Sequence, residues 1–124
     1  MTNIILIAIF GIAGILFRYG IDSYLGGWNE VFPASTFAIN LLGSFLAGSI
    51  YAFSVHRHIS TNLQTALLVG FCGGFTTFSA YALQTVLMFE RGKFTPAMLY
   101  FFITPALGLL AAFIPVFLAR KLFV

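Results

Sequence analysis

The sequence predicts an all-α integral membrane protein of four transmembrane helices with the third one broken, and three observations predict it. Of 124 residues, 60% are hydrophobic and only 7% are charged, with a strongly positive mean hydropathy, which excludes an ordinary soluble domain. Four apolar segments, at about residues 3–22, 33–55, 62–89 and 94–119, each reach or exceed the roughly 20 residues that cross the hydrocarbon core. Within the third, the run from Gly70 to Tyr81 gathers three glycines (Gly70, Gly73, Gly74), three hydroxyls (Thr76, Thr77, Ser79) and four rings (Phe71, Phe75, Phe78, Tyr81). The separators Asp22 to Glu30, His56-Arg57-His58 and Glu90-Arg91-Gly92-Lys93 leave no room for a soluble domain. The chain therefore reads as a single membrane unit, 1–124.

The first segment has no basic start and carries Arg18, Tyr19 and Asp22 where a small-residue cleavage site would fall, so a mature helix is expected rather than a signal peptide. Gly11 and Gly14 on it, like Gly43, Ala47 and Gly48 on the second, allow helices to approach closely in lipid. On the second segment, Thr36, Asn40, Gly43 and Ala47 recur at helical spacing and form a stripe. Asn40 lies well inside the membrane, where a buried amide either bonds a neighbouring helix or faces a polar pathway. On the third, each glycine costs a helix about 1 kcal/mol relative to alanine, and backbone groups freed in lipid need partners inside the protein. A break at that depth marks an ion or substrate site. Beyond it, Phe78 and Tyr81 fall on one side, continued by Gln84 and Thr85. Ring edges attract anions and ring faces cations; spacing leaves the direction of the rings open, and a packing stripe is the plainer reading. Pro105 and Pro115 are expected to kink the fourth helix.

Positive charges number three on the side of the termini (Arg57, Arg120, Lys121) and two on the other (Arg91, Lys93), or three against three if Arg18 reaches outward. The positive-inside rule then sets no orientation, and two oppositely inserted copies can pair as an antiparallel, dual-topology dimer. The net charge of +3, without a basic run, points to no nucleic acid, and membrane lipid is the expected surrounding. The single cysteine, Cys72, excludes an internal disulfide and is expected to be a packing residue; His56 and His58 are expected to be solvated loop residues.

The motifs together resemble the Fluc (CrcB) family of small fluoride channels over nearly the whole chain. They are Gly11, Gly14, Arg18 and Tyr19 in the first segment, Thr36, Asn40, Gly43 and Gly48 in the second, and the run Gly70 to Ser79 in the third. The resemblance implies a four-helix protomer, an antiparallel homodimer or a pair of homologous chains, and two pores at the interface. It implies a central structural sodium ion (Na+) held by the backbone carbonyls of Gly73 and Thr76, pore rings at Phe78 and Tyr81, and a pore-lining amide at Asn40. Thr77 pairs with Thr76 in the motif, Gln84 matches a pore-edge position that is acidic in some relatives, and Thr104 matches a small hydroxyl of the fourth helix. Tyr81 departs from the phenylalanine usual there, and its hydroxyl could bond an anion, hold it too firmly or narrow the pore. Gly108 stands where serine is common.

Fluoride is small and strongly hydrated, so a pore must replace its water with donors: the Asn40 amide, the Thr77, Ser79 and Thr104 hydroxyls and ring edges. Arg18 is the one candidate intramembrane cation, placed either to concentrate anions at a pore mouth or against lipid headgroups. The sequence holds no nucleotide-binding loop and no nucleophile-base-orienter set, so no enzyme and no pump is expected. The expected role is passive export of cytoplasmic fluoride across the cell inner (plasma) membrane, conferring fluoride resistance. The rivals are a small four-helix drug or cation exporter and one subunit of a heterodimeric channel inactive alone. The exporter needs a membrane-embedded carboxylate, whereas Asp22, Glu30 and Glu90 all fall at segment ends or in loops.

Overall fold

Four apolar helical segments, Asn3–Tyr24, Ala34–Arg57, Thr61–Glu90 and Phe94–Leu122, are each long enough to cross a bilayer. They belong to a computed structural model that describes residues 2–26, 31–57 and 59–123. Gly27, Trp28, Glu30 and His58, which the sequence assigns to separators, lie outside the described residues. The helices run one to three residues past most ends of the apolar stretches. Backbone bonding continues through polar ends such as Asp22 and His56, and the latter is a helical residue stacked on Phe123 at 4.7 Å rather than a loop residue.

The chain forms α1 (Thr2–Tyr24), α2 (Ala34–Arg57), α3 (Thr61–Thr65), a π-helical stretch (Ala66–Cys72), α4 (Gly73–Phe75), α5 (Phe78–Glu90) and α6 (Phe94–Leu122). Ser60 caps α3, its Oγ accepting from the Leu63 N–H at 3.3 Å. Gly92, at φ +72°, ends α5 in a left-handed turn closed by the Lys93 N–H on the Met88 carbonyl at 2.9 Å. Between α1 and α2, Ser35 donates to Asp22 Oδ1 at 2.5 Å, so this carboxylate is held at a helix end.

In the most apolar windows of α2 and the third segment 28% of residues are buried, against 6% in α1 and α6, so the first pair is central and the second flanks it. α1 packs along the π-helical stretch and α4, while α6 packs on α2 and α5. Glycines make the closest approaches. A Cβ on Gly74 would lie 2.6 Å from the Gly11 carbonyl oxygen and one on Gly70 2.7 Å from that of Ile7, while one on Gly14 would collide with the Phe71 carbonyl. Across the molecule, Gly48 admits the Ala112 carbonyl of α6. Tyr81, Met88, Ala97 and Tyr100 form a buried cluster between α5 and α6.

The expectation that the glycines break the third segment is corrected in its location. Gly73 is ordinarily helical at φ −63°, ψ −38°, and Gly70 and Gly74 lie within the π-helical stretch and α4. The backbone leaves the helical region at Thr76 (φ −83°, ψ 159°) and Thr77 (φ −148°, ψ 111°). Gly70 and Gly74 are needed for their missing side chains, against α1, and the chain turns where threonine hydroxyls can bond the backbone locally.

Candidate functional site

The two extended threonines organise the site. Thr76 closes the end of α4 by donating from both its N–H and its Oγ1 to the Cys72 carbonyl, each at 2.9 Å. Thr77 opens α5 as its N-cap, Oγ1 accepting from the Ala80 N–H at 3.2 Å and lying 3.3 Å from Ser79 Oγ. The Thr77 peptide groups are taken by Asn40 of α2: Oδ1 accepts from the Thr77 N–H at 2.8 Å and Nδ2 donates to the Thr77 carbonyl at 3.1 Å. The amide thus pairs with the interrupted backbone as a second strand would. Gly43, one turn along α2, makes room for this, because a Cβ there would run into the Thr76 methyl and the Phe75 ring.

These bonds have a consequence for two carbonyls. In a continuous helix the Thr77 N–H would close on the Gly73 carbonyl and the Ala80 N–H on that of Thr76. Both donors are diverted, to Asn40 Oδ1 and Thr77 Oγ1. The carbonyls of Gly73 and Thr76 are thereby released from helix bonding as hard oxygen donors, a ligand type suited to an alkali cation.

Between α2, α5 and α6 lies a cavity of about 430 Å³ whose wall includes Asn40, Thr77, Phe78, Tyr81 and Thr104. Half-buried Asn40 bonds a neighbouring helix, one of the readings left open by its spacing, and it also lines this cavity. One Nδ2 hydrogen remains beyond the bond to Thr77. Thr104 Oγ1 is buried and has no hydrogen-bond partner among the described residues, in a side chain only 6% exposed. Phe78 is 79% exposed at the rim, and its ring lies 5.7 Å from that of Tyr81 at 51°. Tyr81 is buried, and its hydroxyl donates to the Phe101 carbonyl of α6 at 2.6 Å.

The other residues singled out in the sequence lie elsewhere. Gln84 is buried below the cavity, where its Nε2 donates to Thr36 Oγ1 at 2.9 Å and its Oε1 accepts from the Tyr100 hydroxyl at 3.0 Å. It joins α2, α5 and α6 and is not part of the cavity wall. Thr85 bonds back to the Tyr81 carbonyl at 2.8 Å. Ser79 is exposed beside Thr77, and Arg18 sits half-buried on α1, away from the cavity. Cys72 is buried and free, as a packing residue should be. Ser44 and Pro105 also line the cavity and were not assigned to it from sequence. Ser44 follows Asn40 by four residues, so helical spacing from the buried amide was the signal that pointed to it.

The family profile described as "CrcB-like protein, Camphor Resistance (CrcB)" matches residues 5–116. A Renibacterium salmoninarum protein is 34% identical over 123 residues, covering 94% of this chain and 98% of its own. A Thermus thermophilus protein is 40% identical over 111 residues, covering 89% and 87%. A Methylococcus capsulatus protein is 38% identical over 118 residues, and the chain spans about half of that longer relative, 52% against 94% of its own length. Each of the three bears the name "Fluoride-specific ion channel FluC". With the match running over most of its length, this chain belongs to the CrcB family of multi-pass membrane proteins.

Proposed function

We propose that the chain is a passive, fluoride-selective channel of the cell inner membrane that exports cytoplasmic fluoride. The single observation that carries this reading is the cavity between α2, α5 and α6. Its wall combines the free Asn40 amide hydrogen and the Thr77 hydroxyl with the ring of Phe78 and with no fixed charge, and the unpartnered Thr104 hydroxyl is buried within that wall. An anion entering it exchanges water for these donors and for positive ring edges, and no lysine or arginine traps it there. The names borne by relatives of this family supply the identity of the ion. A negative-inside potential drives an anion outward with about 2.3 kcal/mol per charge per 100 mV, so export and fluoride resistance need no enzymatic step.

The working unit in this reading is an antiparallel dimer of two copies. Gly73 and Phe78 are exposed in the single copy, so a second copy is what encloses the cavity rim and the released carbonyls. The broken third helix suits a structural sodium ion, with the carbonyls of Gly73 and Thr76 as its ligands from each copy. Bound there, the ion would balance carbonyl dipoles that the helix leaves unpaired. The role of Asn40 and Thr77 is to keep those carbonyls free by taking the donors that would otherwise close on them.

The test is fluoride efflux from liposomes holding the purified single chain, followed with an ion-selective electrode under a potassium gradient plus valinomycin. Fluoride loss without chloride loss is the expected result. Equal loss of both anions, or no loss from well-folded protein, overturns the reading of one chain as a self-sufficient fluoride channel.

A further inference from the structure

Pro105 lies inside α6, and because proline has no N–H, the Phe101 carbonyl four residues earlier is left without its helical donor. A bare carbonyl at membrane depth is costly, and here it is not bare: Tyr81 Oη of α5 donates to the Phe101 oxygen at 2.6 Å. Tyr81 and Pro105 both line the cavity, with Thr104 immediately before the proline. The Tyr81 ring is also fixed from the side, 5.2 Å from the Tyr100 ring and nearly parallel to that of Phe101 at 6.4 Å.

From this geometry we infer that Tyr81 is a positioning residue whose hydroxyl replaces the N–H missing at Pro105 and masks the Phe101 carbonyl beside the anion path. A phenol has one hydrogen, and this one is committed, so the hydroxyl presents no donor to an anion. What Tyr81 contributes to the cavity is a ring held at a set angle, and what it withholds from it is the negative end of a carbonyl dipole. Tyrosine at 81 and proline at 105 therefore form a matched pair. Phenylalanine at 81 leaves the Phe101 carbonyl unpaired unless residue 105 carries an N–H. The part of the inference that concerns the anion rests on the proposed channel function; the pairing itself does not.

A double-mutant cycle separates the two. Tyr81→Phe, Pro105→Ala and the double variant are purified, their thermal unfolding in detergent is followed, and their fluoride efflux from liposomes is measured per folded molecule. Tyr81→Phe leaves the part-buried Phe101 carbonyl unpaired and lowers the unfolding midpoint by about 3–8 °C. Its efflux falls about tenfold, a change of barrier of roughly 1.4 kcal/mol. Pro105→Ala alone stays near the parent in stability, since the carbonyl has two lone pairs and accepts from both donors, and its own efflux is the reference for the double variant. In the double variant the backbone N–H that alanine restores at position 105 takes the Phe101 carbonyl, and both stability and efflux return to the levels of Pro105→Ala. If Tyr81→Phe does not fold at all but the double variant does, the pairing is upheld.

The pairing is overturned if Tyr81→Phe matches the parent in stability, if Pro105→Ala fails to rescue it, or if Pro105→Ala itself does not fold. If stability follows the cycle while efflux does not, the masking role is overturned and the pairing is kept. Should the parent chain pass no fluoride, the channel reading fails on that ground alone, and the unfolding cycle still decides the pairing.

Discussion

The two halves of the third segment, Thr61–Phe75 and Phe78–Glu90, are both apolar helices with small or hydroxyl residues, yet they do opposite work. The first half meets α1 backbone to backbone: Gly70 and Gly74 lie against the Ile7 and Gly11 carbonyls, and Gly14 lies against that of Phe71. The second half meets α2 and α6 through polar side chains: Tyr81 on the Phe101 carbonyl, and Gln84 between Thr36 and Tyr100. At the junction, Asn40 pairs with Thr77. The lesson is that close packing through glycine secures the molecule on one side, while hydrogen bonds across helices shape a cavity on the other. Without a hydrophobic force between helices in lipid, both devices are needed.

The packing side is the more brittle, and breaking it should have the largest effect. Gly14→Ala drives a methyl group into the Phe71 carbonyl, which is backbone and cannot turn aside. The expected loss is about 3 kcal/mol or more, seen as failure to recover monodisperse protein in size-exclusion chromatography. Asn40→Ala acts at the junction, removes both bonds to Thr77 and leaves the Thr77 N–H unpaired, since the Thr77 carbonyl keeps its first-turn bond within α5. It should lower stability by about 2–4 kcal/mol and abolish fluoride efflux, measured by unfolding in detergent and by the liposome assay. Gln84→Leu removes two bonds to side chains that can partly reorient. The expected cost is about 1–3 kcal/mol, and efflux per folded molecule should fall less than in Asn40→Ala, because Gln84 does not line the cavity. If Gln84→Leu silences efflux while keeping full stability, the division between cavity wall and supporting network is wrong.

The four helices were legible in the sequence because length and hydropathy alone decide whether a segment crosses a bilayer. Asn40 was legible as a buried amide, but its partner Thr77, 37 residues away, depends on where the third segment turns. That turn was misplaced, since glycine reads the same in sequence whether it bends a chain or admits a neighbour's carbonyl. Gln84 falls on the same stripe as Tyr81, and periodicity does not separate a wall residue from one packed a turn deeper. The part played by the Tyr81 hydroxyl was hidden because it answers a vacancy created on another helix by Pro105. Ser44, one helical turn from Asn40, carries no sequence signal of its own beyond that spacing.

The central claim is that the donors of this cavity carry the ion, and Thr104→Val tests it most directly. Valine keeps the shape of threonine and removes the one buried hydroxyl that has no partner among the described residues, so stability should hold or rise slightly. Fluoride efflux per folded molecule is predicted to fall about tenfold, matching the loss of roughly 1.4 kcal/mol of interaction along the path. Unchanged efflux from a fully folded Thr104→Val protein would contradict the account and place the ion's route outside this cavity.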